Sequence, residues 1–301
     1  MGLSMGTISL PIILILLGTT VPALIPEPLT NKRFQWLLTD GTIAELEQAC
    51  LNSLDAEPNW WRGQLRDRLL AIHPVPARFD LTLRNAEALL RCGFPEGVAL
   101  VLNRFSPRVG EERQSWLMLR WQAAAATLNH RQAALALRRL VNGDLRILDQ
   151  ITLPGKRNGL DQLAEHEASV GRTREAASIV LAGELQGIVG ARRKAKAADW
   201  LAASNGDQAN QLLEVALDMA TSKQAWGLAM EVLRLQLRLQ LEAGGDGERP
   251  RQRMKRLAAH LDDTCTLLQL DSNNSTQLSS PSPRELDDPA AARKPMIAPL
   301  L

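Results

Sequence analysis

Residues 93–99 have the sequence GFPEGVA, and this stretch decides the fold class because it ends one helix and begins another. Gly93 suits the left-handed backbone conformation that follows a helix C-terminus, where a Cβ would be strained. Pro95 suits the first turn of a helix, and Glu96 complements the positive end of the helix dipole. The stretch therefore predicts a tight turn between two helices.

The same pattern occurs at residues 129–134, 171–177 and 205–209, and we expect a fifth turn at Gly244–Gly245. In each case a residue that tolerates positive φ is followed by a small one, which lets the second helix approach the first closely. The turns at 93, 129, 171 and 205 are separated by 36, 42 and 34 residues. Helix–turn–helix units at this spacing are typical of a stacked superhelix, so we predict an all-α fold of stacked repeats.

Residues 80–270 resemble the tetratricopeptide (TPR) family. Trp116, Leu119, Ala123 and Ala133 stand where that family places its Trp, Leu, small and Ala positions, and 171–177 is similar to its inter-helix turn. The chain departs from the family pattern in having no tyrosine and a variable period. The resemblance implies a right-handed superhelix (a TPR-like α-solenoid) that grips peptides or partner proteins on a concave face.

The run LRLQLRLQL at residues 233–241 alternates with period two, which is a strand pattern. Leu, Arg and Gln are good helix formers and none is β-branched, so we predict a helix instead. On a helix, Leu233, Leu237 and Leu241 face one way, and Leu235 and Leu239 face the other. Two apolar faces are what a helix needs when it lies between two neighbours.

The first 26 residues contain no charged side chain, and Ile8 to Ile25 is mostly apolar. As a helix these residues would span about 27 Å, close to the hydrocarbon thickness of a bilayer. Lys32 and Arg33 follow the segment, so the positive-inside rule predicts a single-pass membrane anchor with a cytoplasmic body. The alternative is a signal peptide that is cleaved near Ala23, followed by export.

The composition divides the chain into four parts. An apolar segment (1–30) is followed by an N-terminal helical region (31–79) and by the TPR-like repeat domain (80–270). Residues 271–301 are rich in Ser, Asn and Pro and cannot bury enough apolar surface to offset the entropy of ordering, so we predict a disordered tail.

Charge and cysteine content exclude several classes of protein. The formal net charge is +2, which gives no overall field for nucleic acid, and a nucleic-acid partner is not expected. The three cysteines are Cys50, Cys92 and Cys265, and no CxxC pair exists. We therefore expect no zinc finger and no disulfide framework, and we interpret Cys92 as a small buried hydrophobic residue.

The sequence contains no P-loop, dinucleotide fingerprint, serine-hydrolase elbow or calcium loop. Glu165-His166-Glu167 is the only local cluster with acid–base character. Adjacent helical residues point about 100° apart, so we expect this cluster to lie on a solvated helix face. We accordingly expect no catalytic residue, no metal site and no cofactor.

Two basic clusters are candidates for an anion-binding or partner-binding patch. In the first, Arg192, Arg193 and Lys196 share a face at helical spacing. The second consists of Arg249, Arg251, Arg253, Lys255 and Arg256. Either cluster can bind phosphates, anionic lipid or an acidic partner, and a solvated face is the alternative.

These observations predict a membrane-associated helical-repeat scaffold that mediates protein–protein interaction and is not an enzyme. One alternative is a helical enzyme whose site is assembled from distant residues. Another is a regulatory or nucleic-acid-associated module that uses the arginine-rich clusters. A protein or peptide is the expected partner, and the sequence does not indicate an oligomeric state.

Overall fold

The computed structural model describes residues 29–53, 60–73 and 78–278. Within these ranges the protein is 75% helical with almost no strand, which confirms the predicted all-α class. The right-handed superhelix stays a prediction. The apolar segment Ile8 to Ile25 lies outside the described residues, and none of the described helices has the length and apolar character needed to cross a bilayer.

Fifteen helices and one pair of short strands follow each other along the described ranges. They are α1 (Asn31–Asp40), α2 (Ile43–Asn52), α3 (Trp60–Ala71), α4 (Phe79–Arg91), α5 (Pro95–Leu102), α6 (Glu111–Ala126), α7 (His130–Leu140), α8 (Leu145–Gln150), β1 (Thr152–Leu153), β2 (Arg157–Asn158), α9 (Gly159–Ser169), α10 (Thr173–Val180), α11 (Gly187–Leu201), α12 (Gly206–Ser222), α13 (Trp226–Glu242), α14 (Glu248–His260) and α15 (Thr264–Leu278).

All five predicted turns fall between helices. Gly93, Gly171 and Gly244 have φ values of 68°, 84° and 79°, as expected for a left-handed residue after a helix. At the second turn the left-handed residue is Leu128 (φ 56°), whereas Asn129 accepts a hydrogen bond from the Gln132 amide as the N-cap of α7. At the fourth turn Asn205 caps α12 in the same way.

The longest step between turns, from 129 to 171, contains an insertion that the sequence analysis did not predict. The six-residue helix α8 and an antiparallel pair of two-residue strands, β1 and β2, lie between α7 and α9. Gly155 and Lys156 both have positive φ and close the turn between the strands. This insertion explains why the step is longer than the other two.

The alternating leucine run lies in α13, so the helical prediction for residues 233–241 is confirmed. Leu235 and Leu239 pack against the large central core, while Leu233 and Leu237 pack against a smaller C-terminal core. The two predicted apolar faces are therefore both used, although Leu241 at the end of the run is exposed.

The described residues bury three hydrophobic clusters. The N-terminal core packs α1–α5 and part of α6 around residues such as Phe34, Leu65 and Leu89. The central core joins α6–α13 and is rich in alanine, which allows close approach of helices. The C-terminal core is small and includes Met254 and Leu270.

Cys50 of α2 and Cys92 at the end of α4 form a disulfide within the N-terminal core, with their Cα atoms 5.5 Å apart. The sequence analysis expected no disulfide framework and did not predict this single bond. It failed because the two residues are 42 positions apart and meet only through the packing of α2 on α4. The expected burial of Cys92 is confirmed, and Cys265 is free and exposed.

The polar tail was predicted to begin at residue 271, but α15 continues to Leu278. Asp263 accepts a hydrogen bond from the Thr266 amide at the start of this helix, and Leu270 is buried in the C-terminal core. These contacts extend helical structure past the predicted boundary. Residues 279–301 lie outside the described residues.

Candidate functional site

An open groove of about 440 Å³ lies between α4, α6 and α8, and we refer to it as the α4–α6–α8 groove. Its lining residues are Leu83, Glu87, Gln114, Ser115, Met118, Leu119, Gln122, Leu140, Val141, Ile147 and Ile151. The groove is thus mainly apolar, with three neutral polar side chains and one charged side chain, Glu87.

Helical spacing explains why these side chains meet. Leu83 and Glu87 on α4 are four residues apart, as are Gln114, Met118 and Gln122 on α6, so each set lies on one helix face. The inserted helix α8 completes the groove. It is anchored by the fully buried Leu148, which leaves the preceding Ile147 49% exposed at the rim.

The polar side chains of the groove are not engaged with the protein. Among the described residues, the side chains of Gln114, Ser115 and Gln122 have no hydrogen-bond partner, and Glu87 has no ion pair. Amide groups in this state can donate to and accept from the main chain of a bound segment. The arrangement therefore offers apolar contacts and hydrogen bonds side by side, as binding sites commonly do.

A second open cavity, of about 750 Å³, lies between α1, α2, α3 and α4. Residues 39–44 form one side of it, and Arg68 and Arg84 line the other. Glu87 lines this cavity as well as the α4–α6–α8 groove. The two therefore adjoin at Glu87 on α4.

The first basic cluster does not form the predicted common face, so that prediction is wrong. Arg192 is exposed, but Arg193 is only 4% exposed. The Arg193 guanidinium binds Asp149 through Nη2 at 2.5 Å and Asp161 through Nε at 2.8 Å. Its position follows from helix rotation, because Gly190 and Ala197 on the same stripe of α11 are also buried.

This buried arginine favours the ionised form of Asp149. Hydrogen bonds from Arg193, supported by the amide of Glu184, lower the pKa of Asp149. Lys196 pairs with Glu165 and lies over the ring of Trp200. Arg193 is therefore part of the central core, and Lys196 is already paired.

The second basic cluster lies on α14 and its charges are largely matched. Arg253 donates to both carboxylate oxygens of Glu214 at 2.9 and 2.8 Å, and Arg249 lies 3.5 Å from the same carboxylate. Lys255 pairs with Asp271 at 2.6 Å, and Arg251 donates to the main-chain oxygen of Asp246 at 2.6 Å. Arg256 is exposed and has no ion pair among the described residues.

Glu214 is held ionised by this arrangement. Partial burial by itself raises its pKa, but hydrogen bonds from Gln236 and Arg253 bring the pKa below its ordinary value. The cluster on α14 is thus mainly an intramolecular ion-pair network between α12 and α14, not an open cationic patch.

His166 lies inside the central core, so the prediction of a solvated helix face is wrong. Its Nε2 accepts a hydrogen bond from Trp121 Nε1 at 3.1 Å, and its Nδ1 is 3.0 Å from Nδ1 of His130. Burial, followed by repulsion from His130, lowers the pKa of His166. Because Nε2 accepts, Nδ1 of the neutral ring carries the proton and donates to His130.

Glu167 is also buried, at 2% exposure, and belongs to a separate ion-pair cluster. Its carboxylate accepts from Arg138 at 3.0 and 3.1 Å and from Arg172 at 3.2 Å. Neither His166 nor Glu167 lines the α4–α6–α8 groove or the cavity beside it. Glu167 instead lines a smaller open pocket of about 220 Å³, together with Arg138 and Arg172.

Sequence reasoning did not find the groove. The spacing of Leu83 with Glu87 and of Ile147 with Ile151 is visible in the sequence, but it looks like any pair of helical neighbours. Helix α8 is only six residues long, which is too short for a clear periodic signal.

The described part of the chain contains no group of three or more His, Cys, Asp or Glu side chains placed to hold a metal ion. Fold and site define an all-α protein with an open, mainly apolar groove. No protein-family model, no curated protein and no solved structure matches this chain.

Proposed function

We propose that this chain is a membrane-associated helical scaffold that binds an extended segment of a partner protein and catalyses no reaction. The observation that carries the proposal is the α4–α6–α8 groove, with its unengaged Gln114 and Gln122 amides beside the exposed Ile147 and other, half-buried aliphatic side chains. An extended segment presents both main-chain hydrogen-bonding groups and side chains, and this groove matches both.

The arrangement of the helices supports a superhelix, which we propose as the architecture. Successive helices pack as hairpins, and contacts also join alternate helices such as α4 with α6 and α11 with α13. Contacts of this kind are what stacked helix–turn–helix units make with their neighbours. Such a stack exposes long grooves between hairpins, in keeping with a binding role.

Selection from a displayed library of random twelve-residue peptides on the immobilised full chain tests the proposal. Ile147→Asp places a charge on the groove rim, and Val215→Asp is the matched control, since the two residues are 49% and 45% exposed. We expect selected peptides to lose at least tenfold in affinity for Ile147→Asp and to bind Val215→Asp normally. Failure to obtain any peptide that depends on Ile147 would remove the groove-binding proposal.

The two alternative functions have less support. A helical enzyme would bring an available acid–base group to an open pocket, whereas His166 lines neither groove and Glu167, which lines a small pocket, is held by two arginines, Arg138 and Arg172. A nucleic-acid module would need unpaired cations, whereas Arg193, Arg253 and Lys196 are held by carboxylates.

The Cys50–Cys92 disulfide supports the exported location over the cytoplasmic one, because disulfides persist in oxidising compartments. We therefore propose that the helical body lies outside the cytoplasm, so that any association with the membrane is at its outer face. Acid quenching of cells followed by alkylation of free thiols tests this proposal. In an exported chain Cys50 and Cys92 are joined and cannot react, so only Cys265 takes up an alkyl group. Three alkyl groups per chain would place the body in a reducing compartment.

A further inference from the structure

Glu87 occupies a position in the groove that the proposed function does not explain. It is the only charged residue among those that line the α4–α6–α8 groove, and it also lines the adjoining cavity. The side chain is half-buried beside the aliphatic groups of Leu83 and Met118. A carboxylate in apolar surroundings loses part of its hydration, and the loss is offset when a cation approaches it.

The cations of α4 that flank Glu87 are engaged elsewhere. Arg84, one turn before it, donates to Asp80 at 3.2 Å. Arg91, one turn after it, donates to Glu47 at 2.6 Å. In the adjoining cavity Arg68 donates to the main-chain oxygen of Thr39 at 2.8 Å. Within the described residues, Glu87 is thus a carboxylate that faces an open groove without an ion pair.

Resting on the proposed function, we infer that the groove selects a segment with one lysine or arginine between aliphatic side chains. The cation pairs with Glu87, and the flanking side chains pack on Leu83, Met118 and Ile147. Gln114 and Gln122 bind the main chain of the segment. Charge complementarity identifies this occupant, because an acidic segment would bring a second negative charge against a carboxylate that has no partner.

A double-mutant cycle tests the inference directly. One selected peptide is made in two forms, with its basic residue retained or replaced by the uncharged, similarly long norleucine, and each is titrated against wild type and Glu87→Gln. We expect Glu87→Gln to weaken the basic peptide about tenfold and the norleucine peptide by less than twofold. Glu231→Gln on α13 is the control, because Glu231 is exposed and distant, and it is expected to change neither affinity.

The outcomes separate the two proposals. A peptide whose affinity falls with Ile147→Asp binds the groove. If Glu87→Gln then weakens the basic and the norleucine forms of this peptide equally, the charge selection is overturned and the scaffold proposal stands. A selection that enriches acidic or wholly uncharged peptides at the groove also overturns the charge selection. Absence of any Ile147-dependent peptide overturns the proposed function itself.

Discussion

The N-terminal region (α1–α5) and the central region (α6–α13) bury different kinds of polar side chain. In the N-terminal region the described buried polar residues are neutral, whereas the central region buries charged or titratable groups. The neutral set is Ser53, Thr82 and Asn85, and the central set is Gln162, His166, Glu167, Arg193 and Gln236. The fully buried polar side chains of the cross-linked N-terminal core are therefore neutral, whereas the central core also buries ion-paired Glu167 and Arg193.

Arginine serves the two regions in different ways. In the N-terminal region four arginines donate to main-chain oxygens near helix C-termini, where carbonyl groups lack helical partners. These pairs are Arg62 with Ser53, Arg66 with Cys92 and Gly93, Arg68 with Thr39, and Arg104 with Leu70. In the central region Arg138 and Arg193 bind carboxylates instead. Counting arginines in a sequence therefore does not reveal which of them are available to a partner.

Removal of the Cys50–Cys92 disulfide is expected to have the largest effect. The bond closes a loop across 42 positions, and the chain-entropy estimate for such a loop is about 4 kcal/mol at 25 °C. Urea unfolding with and without a reductant measures this loss, and hydrogen exchange should place it in α1–α5. The Cys50→Ala/Cys92→Ala variant should be insensitive to reductant, whereas Cys265→Ala should respond as the wild type does. Equal stability of the wild type in both conditions would contradict the cross-linked core.

Arg193→Met tests the charged core of the central region. The substitution leaves Asp149 and Asp161 without their cation, and we expect a loss of about 3 kcal/mol in the free energy of unfolding. Arg192→Met, at the exposed neighbouring position, is the matched control and should change stability by less than about 0.5 kcal/mol. Equal losses for the two variants would contradict a structural role for the Arg193 ion pairs.

Much of the fold could be predicted because its signals are local. Gly93 and Gly171 mark turns through their own backbone freedom, and the leucine run of α13 shows its two faces within nine residues. Helix α8 and the strand pair after it were missed because each is too short for a periodic pattern.

The candidate site could not be predicted, because it depends on how distant helices are rotated. Arg192 and Arg193 are the same residue type side by side in the sequence, yet Arg192 is exposed and Arg193 is buried. His166 is buried because α9 turns it toward Trp121, which lies 45 residues earlier. Glu87 and Ile147 line one groove only because the inserted α8 packs beside α4 and α6.

Arg66→Met tests the capping arginines of the N-terminal region. Arg66 donates through Nε and Nη2 to the Cys92 oxygen at 3.0 and 2.6 Å and through Nη2 to the Gly93 oxygen at 3.0 Å. Their loss leaves carbonyls at the end of α4 without partners, so we expect a loss of about 1.5 kcal/mol in urea unfolding. Arg113→Met, at an exposed position on α6, should cost less than about 0.5 kcal/mol. An Arg66 variant as stable as the Arg113 variant would show that water caps these carbonyls equally well.

The smallest expected effect is an acid sensitivity that belongs to the central region alone. Burial and the nearby His130 lower the pKa of His166 in the folded protein. As the pH falls below about 6.5, the ring therefore binds a proton in the unfolded chain while it is still neutral in the folded one. The contribution of His166 to stability is therefore complete above that pH and declines as the pH falls, by at most about 1.4 kcal/mol per pH unit. Protonation also turns Nε2 into a donor that faces the Trp121 N–H.

His166→Gln provides the comparison, because glutamine keeps an acceptor for Trp121 and does not titrate. The difference in unfolding free energy between wild type and this variant should be constant from pH 8 to 7. Between pH 6.5 and 5 the wild type should lose stability relative to the variant. His130, Glu165, Glu167 and Arg157 are present in both proteins, so the difference isolates the exchange at position 166. Hydrogen exchange at pH 5.5 should show earlier opening of α6, α7 and α9 than of α2 and α4, since no histidine is among the described buried residues of the N-terminal core. Parallel stability curves, or acid opening that begins in α2 and α4, would mean that the two cores do not differ in the way their buried side chains indicate.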